Sequence, residues 1–228
     1  MAHFEGFLDD KARFFKALAE NNERSWFLAH KPEFEAGWNT PMKLLLADVR
    51  AAIDRAYPRC DLDEPAVFRM HRDVRFSKDK SPYKTHLGGF IPLQRTGTKT
   101  TDRPMALYFH VGAQETMAAA GHYMMAPTSL ERFRRAVAED ARGKELARIV
   151  ARLEKKGFVT GAAESLKRVP KGYDPGHPRA ELLKRKGLIV TFPLLPKGLL
   201  ATPKLTQWLA DGSKTAAPLV EWLLFATA

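Results

Sequence analysis

Apolar residues recur at helical spacing through the first quarter of the chain and at alternate positions through its middle. Residues 8–19 put Phe14, Phe15 and Leu18 on one side behind Asp9 or Asp10, which predicts a helix. Asn21-Asn22 interrupts it, and residues 23–31 resume as a short helix that Pro32 is expected to end. Thr40 followed by Pro41 reads as a helix start, with Met42, Leu45, Leu46, Val49 and Ile53 following at core spacing. After the turn-rich residues 58–65, strands are expected at 66–76, 88–94, 106–111 and, more weakly, 115–124. Leu107, Phe109 and Val111 alternate with Ala106, Tyr108 and His110, the pattern of a half-buried strand. The polar residues 95–103 would link two of these strands as a loop.

Thr128 and Glu131 stand at capping-box spacing before Phe133 and Val137, so a helix is expected over 128–140. A second covers 144–156, with Gly157 as its stop, and a third about 178–186 before a strand at 188–192. Thr202-Pro203 should start a short helix through Leu209, and residues 218–225 a last apolar one. Successive strands joined without helices imply antiparallel pairing. With no repeat, low-complexity tract or long linker, the pattern predicts a single α+β domain over 1–228, a central, mainly antiparallel sheet flanked by helices.

Charge changes this picture more than composition does. The chain carries 37 basic and 26 acidic residues, a net +11, which favours polyanions, acidic metabolites or a membrane surface as partners. Most of the excess lies in two islands. Residues 68–89 hold Arg69, Arg72, Arg75, Lys78, Lys80 and Lys84 against Asp73 and Asp79. Residues 167–187 hold Lys167, Arg168, Lys171, Arg179, Lys184, Arg185 and Lys186 against Asp174 and Glu181. One cysteine, Cys60, excludes an intramolecular disulfide and an all-thiolate zinc site. The start lacks a signal-peptide pattern and no apolar run reaches the ~18 residues of a membrane span, so a cytoplasmic protein is expected.

The first island has the chemistry of an anion clamp, since guanidinium forks grip phosphate or carboxylate oxygens and lysines add point charge. In an extended segment Arg69, His71, Asp73 and Arg75 share one face. Phe68, Met70, Arg72, Val74 and Phe76 share the other, which would lie on a core. In the second island Lys171, Tyr173 and His177 are displayed between prolines and glycines. A plain alternative is that the islands are solvated loops whose cations pair with acids elsewhere. Ser77 and Ser81 each precede a lysine by three, but no S-D-N or K-T-G element accompanies them, and serine catalysis is set aside. The seven histidines show no tight metal-ligand spacing, although His71, His110 and Asp73 could meet in space. No phosphate-binding glycine loop is present. Tyr83, Tyr173 and Phe76 among the cations also fit a nucleic-acid track.

The motifs F-x-G-F at 4–7, N-N-x-R-x-W-F-x-x-H-K at 21–31, F-R-x-x-R-D-x-R-F-S-K-D-K-S-P-Y-K at 68–84 and P-K-G-Y-D-x-x-H-P at 170–178 resemble the bacterial family of domain of unknown function 2461. That resemblance implies one α+β domain and no activity. It brings forward Arg24, His30 and Lys31 at a helix end that would join the clamp. The resulting expectation is a phosphorylated or otherwise anionic ligand in a cleft of Arg69, Arg72, Arg75, Ser77, Lys78, Lys80, Lys84 and Lys171, with Tyr83 as lid or stack. Asp73, Asp79 or His71 would be acid or base if phosphoryl or acyl chemistry occurs. The alternatives are a nucleic-acid-binding module and a docking surface for an acidic protein. The sequence names no cofactor, no metal and no oligomeric state.

Overall fold

A computed structural model describes residues 2–9, 11–95 and 101–227. The apolar stripes of the N-terminal third fold as α1 (Arg13–Glu20), α2 (Arg24–Ala29), α3 (Lys31–Phe34) and α4 (Thr40–Ile53). α1 starts later than its apolar pattern suggests. Ala12 takes a left-handed backbone (φ 50°), and the Asp9 carboxylate accepts from the Phe14 amide at 3.0 Å to close the first turn. Asp10 lies outside the described residues.

Two prolines do the opposite of what was expected. Pro32 does not end a helix but sits in the first turn of α3, where its missing N–H would have been unpaired in any case. Thr40-Pro41 does not begin one either, because the chain is already helical through a π turn, Glu35–Asn39. Proline cannot donate to the carbonyl four residues back. The π turn absorbs that defect, with the Thr40 amide reaching Glu35 O instead.

The strands are β1 (Asp61–Leu62), β2 (Ala66–Val67), β3 (His86–Gln94), β4 (Met105–Gly112), β5 (Thr116–His122), β6 (Val159–Gly161) and β7 (Leu188–Thr191). They form one open sheet in the order β1-β3-β4-β5-β7-β6, with β2 beside β3, and the described pairings are all antiparallel. Most of the loop expected at 95–103 falls on residues 96–100, outside those described. The strand expected over 66–76 stops at Val67, for a reason given with the site below.

The remaining helices are α5 (Pro127–Ala138), α6 (Asp140–Lys155), α7 (Ala180–Lys184) and α8 (Lys204–Thr227). The expected capping box at Thr128 is not used. Asp102 takes that role, its carboxylate accepting from the Ala126 amide at 3.1 Å and from His122 Nε2 at 2.9 Å. The two C-terminal helices are one. Pro218 sits inside α8 at an exposed position, where it costs the helix one backbone hydrogen bond.

α4 and α8 pack on one face of the sheet. That face presents Leu87, Ile91, Leu107, Phe109 and Val111, each 1 % exposed or less. Direct cross-strand pairing puts His86, Gly88, Tyr108, His110, Met117 and Ala119 together on the opposite face. The architecture is therefore α+β with helices gathered on one side, and the other side of the central strands is left for a site.

Candidate functional site

After β2 the chain leaves the sheet edge and returns to it at β3 as an irregular hairpin. Phe68 N donates to Gly88 O, Arg72 N to Pro82 O and Lys84 N to Met70 O, each within 2.9 Å. His71 pairs across with Tyr83. The tip between them closes on its own charges. Arg72 Nη1 is hydrogen-bonded to Asp79 Oδ2, and Asp79 Oδ1 accepts from the Ser81 hydroxyl and amide at 2.6 and 2.9 Å. Arg75 grips Asp73 through Nε and Nη2 at 3.0 and 2.7 Å, and Lys80 Nζ donates to Val74 O at 3.0 Å. Ser81 and then Arg72 hold the Asp79 carboxyl far below its ordinary range, and Arg75 lowers that of Asp73.

These local bonds explain why the predicted strand fails. The Asp73 and Asp79 carboxylates take the Arg75 and Ser81 backbone amides that a ladder would have used. The apolar face expected of Phe68, Val74 and Phe76 fails with it. Of the five residues expected there, Phe68, Met70, Arg72, Val74 and Phe76, only Met70 is buried, and Phe76 is 96 % exposed. Tyr83 is no lid. It is 3 % exposed, stacked on Phe27 with ring centres 4.2 Å apart and set against His71 at 4.9 Å.

What the hairpin does open is a groove of about 580 Å³ between its first arm and the helices α2 to α4. Arg24, Lys31, Lys43 and Arg69 border it, with His71 and the buried Tyr83 on one wall. Among the described residues its only acidic lining residue is Glu35, whose carboxylate accepts from Asn39 Nδ2 at 2.6 Å. Arg24 and Lys31 thus arrive where the helix-end reading put them. His30 does not, since its ring stacks on Trp26 at 3.9 Å and donates through Nδ1 to Trp26 O.

The two charge islands do not converge. The first joins β3 at His86, opposite Gly112, whereas β7 begins at Leu188, opposite His122 at the far end of β5. Lys171, Tyr173 and His177 precede that second end, and none of them lines the groove. Cations of the second island serve the fold. Lys184 pairs with Glu181, Lys186 with Glu164, and Arg179 donates to Val137 O at 2.7 Å.

Across Phe68 from the groove, the open face of the sheet carries a second hollow of about 440 Å³. One end is polar. Lys84 Nζ stands 5.1 Å from the Phe68 ring centre, the His86 and His110 rings are 5.1 Å apart, and Tyr108 Oη lies 3.0 Å from His110 Nδ1. The other end, with Met105, Ala119, Ala120, Tyr123 and Ile189, is apolar apart from the Tyr123 phenol. Burial and then the neighbouring His86 push His110 down to about 4, burial lowers His86, and burial raises Tyr108 to about 12. Burial and then Arg69 also lower Lys84.

The profile of a conserved hypothetical protein family, DUF2461, matches residues 10–222, nearly the whole chain. The chain belongs to the DUF2461 family. A search among curated proteins gave no match.

The DUF2461 motif at 68–84 thus divides in two. Arg72, Asp73, Arg75, Asp79 and Ser81 build the tip, while Arg69, His71, Tyr83 and Lys84 face the hollows. The second asparagine of the motif at 21–31 ties the hairpin down, because the Asn22 amide donates to Tyr83 O at 2.9 Å and accepts from Tyr83 N at 3.0 Å. Replacing Asn22 with alanine is expected to cost about 1–2 kcal/mol, with faster hydrogen exchange confined to amides around residues 70–84. The residues that sequence reasoning passed over are Lys43, His86 and Tyr108. A signal for the last two was present, since Lys84, His86 and Gly88 alternate toward one face, as do Tyr108 and His110.

Proposed function

We propose that this DUF2461 protein binds a phosphorylated or otherwise anionic small molecule in the groove between α2, α3 and the first arm of the hairpin. One observation carries the reading. Arg24, Lys31, Lys43 and Arg69 border a single hollow, and none of the four has an ion-pair partner among the described residues. Four cations facing one cavity repel one another, and an anion relieves that repulsion with charge-assisted hydrogen bonds. The cytoplasmic setting expected from the sequence belongs to the same proposal. Among the described residues no helix is long and apolar enough to cross a membrane.

The reading favours binding over catalysis. Asp73 and Asp79, the acids first considered for phosphoryl or acyl chemistry, spend their oxygens on Arg75, Ser81 and Arg72. His71 is the one of the three candidates that lines the groove. Inorganic pyrophosphate titrated at low ionic strength, followed by calorimetry, should bind saturably. The double variant Arg24→Gln/Arg69→Gln should weaken it at least ~10-fold. Absence of binding to the wild type, or equal binding by the folded variant, would remove the reading.

A second reading has its own observation. Phe76 projects into solvent beside the Arg75 guanidinium, 5.8 Å from the ring centre, with Lys78 exposed on the same tip. Such an aromatic among cations is a stacking platform for a single-stranded nucleic acid. Affinity for an oligonucleotide should then fall with salt at a slope of ~0.7 per phosphate, and Phe76→Ala should lower it. Salt-independent or absent binding rejects this reading.

A further inference from the structure

The hollow on the open face of the sheet has a different chemistry from the groove, and Phe68 stands between them as a common wall. Its floor exists because, after Met117, β5 runs Ala118-Ala119-Ala120-Gly121, with side chains too small to fill the space over the strands. Gly88 contributes in the same way. A Cβ there would lie 3.2 Å from Tyr108 Oη and 3.4 Å from His110 Cβ, pressing on the polar pair. Phe68 stacks on Phe90 with ring centres 4.9 Å apart and meets Tyr108 edge-on at 6.3 Å, closing one side. The volume lies within the ~300–1,000 Å³ range of small-molecule sites.

The polarity of the hollow runs along the strands. His86 and His110 mark one end, and Met105, which pairs with Gly121, marks the other. Five residues of strand separate His110 from Met105, about 17 Å at ~3.3 Å per residue. A ligand lying along the strands therefore meets polar atoms at one tip and, the Tyr123 phenol apart, hydrocarbon over the rest of its length. His110 Nε2 is 3.5 Å from Glu115 Oε1. With that N–H turned to the carboxylate, Nδ1 accepts and the Tyr108 hydroxyl donates to it, which leaves the phenol oxygen free to accept from a ligand. Among the lining residues, Lys84 alone carries a permanent charge.

We propose that this hollow is a second binding site, for a small amphipathic monocarboxylate whose carboxylate sits at Lys84 and His86 and whose aryl or short acyl body lies over Ala119, Ala120 and Ile189. A single cation at the tip of an apolar slot matches one negative charge on a hydrophobic body. A dianion or an inorganic phosphate would leave charge uncompensated against hydrocarbon. The pocket thus selects against the multiply charged anions that suit the groove. Phe68 belongs to both linings, so occupation of one hollow bears on the wall of the other.

The test is a calorimetric titration of the full chain at pH 7 with 3-phenylpropionate and with 3-phenylpropionamide, the same body without charge. The carboxylate should bind saturably and at least ~10-fold more tightly than the amide. Lys84→Met should bring the two to equal affinity, and Ala119→Phe, which fills the floor, should abolish both. Circular dichroism identifies a variant that fails to fold, and Lys84→Met decides the matter if Ala119→Phe does. Equal affinity of acid and amide for the wild type, no binding of either, or wild-type preference in folded Lys84→Met would overturn the proposal. Pyrophosphate separates it from the groove reading. If pyrophosphate fails and 3-phenylpropionate binds, only the groove falls; the reverse result sinks only this pocket.

Discussion

Exchanging Arg179 for alanine is expected to lower the unfolding free energy by about 3 kcal/mol, measured by urea denaturation, and Gly143→Ala by a similar amount. The Arg179 guanidinium sits over the C-terminus of α5, where helix carbonyls lack partners. It donates to Val137 O at 2.7 Å and Ala138 O at 3.2 Å, and its side chain is almost wholly buried. It fits there only because α6 presents a glycine. A Cβ on Gly143 would lie 2.3 Å from Arg179 Nε and 2.2 Å from Val137 O. Arg179→Lys should fall between wild type and Arg179→Ala, since one ammonium cannot reproduce the planar fork. A loss under about 1 kcal/mol for Arg179→Ala would restore this arginine to the pool of free surface cations and reopen the second island as a ligand surface.

That result bears on how charge was read from the sequence. Counting cations along the chain located both islands correctly but could not say which cations were spent. Arg72 and Arg75 are consumed by acids a few residues away, within the island itself. Arg179 is consumed by carbonyls some forty residues away, a partner that no local pattern announces. Arg24 on α2 and Lys31 on α3, both outside the islands, supply the groove. The repulsion argument for a bound anion survives, but it belongs to the groove cations and not to the islands as blocks.

The fold was legible where periodicity and local bonding agree. α4, α5, α6 and the strands β3 and β4 have strong apolar patterns, β5 has a weaker one, and the structure keeps them all. The errors cluster where a tertiary or side-chain partner overrules a local rule. Pro41 reads as a start because a π turn leaves no sequence signature that distinguishes it from a cap. Pro218 reads as a beginning, yet packing along α8 outweighs one lost hydrogen bond at an exposed position. The strand over 66–76 was overruled by Asp73, Asp79 and Ser81. β1 and β6 are two and three residues long, too short for any alternation to show. The sheet pocket escaped because its polar residues alternate on two strands, and their meeting depends on a register that pairs Gly88 with His110.

Lowering the pH from 7 to 4 is expected to withdraw about 3 kcal/mol of stability through His110 alone. The ring is 7 % exposed and, with burial and His86 acting together, its folded value drops to about 4 from an ordinary 6.5. A depressed value means that the unfolded chain accepts a proton which the folded chain refuses. The contribution is whole above about 6.5 and disappears as pH falls to about 4, at about 1.4 kcal/mol per pH unit. His86, lowered chiefly by burial, acts in the same direction, while Glu115 opposes it from the solvent side. His110→Gln keeps an acceptor for the Tyr108 hydroxyl and removes the titration. Urea midpoints at pH 7 should therefore be similar for the two proteins, and at pH 4 the variant should be the more stable relative to its own neutral value. If the two pH profiles run parallel, His110 takes up its proton at the same pH in the folded and unfolded chain, and burial does not hold its ring neutral. A profile that diverges as expected keeps His110 uncharged at neutral pH, which leaves Lys84 as the one permanent cation among the described residues lining the sheet pocket.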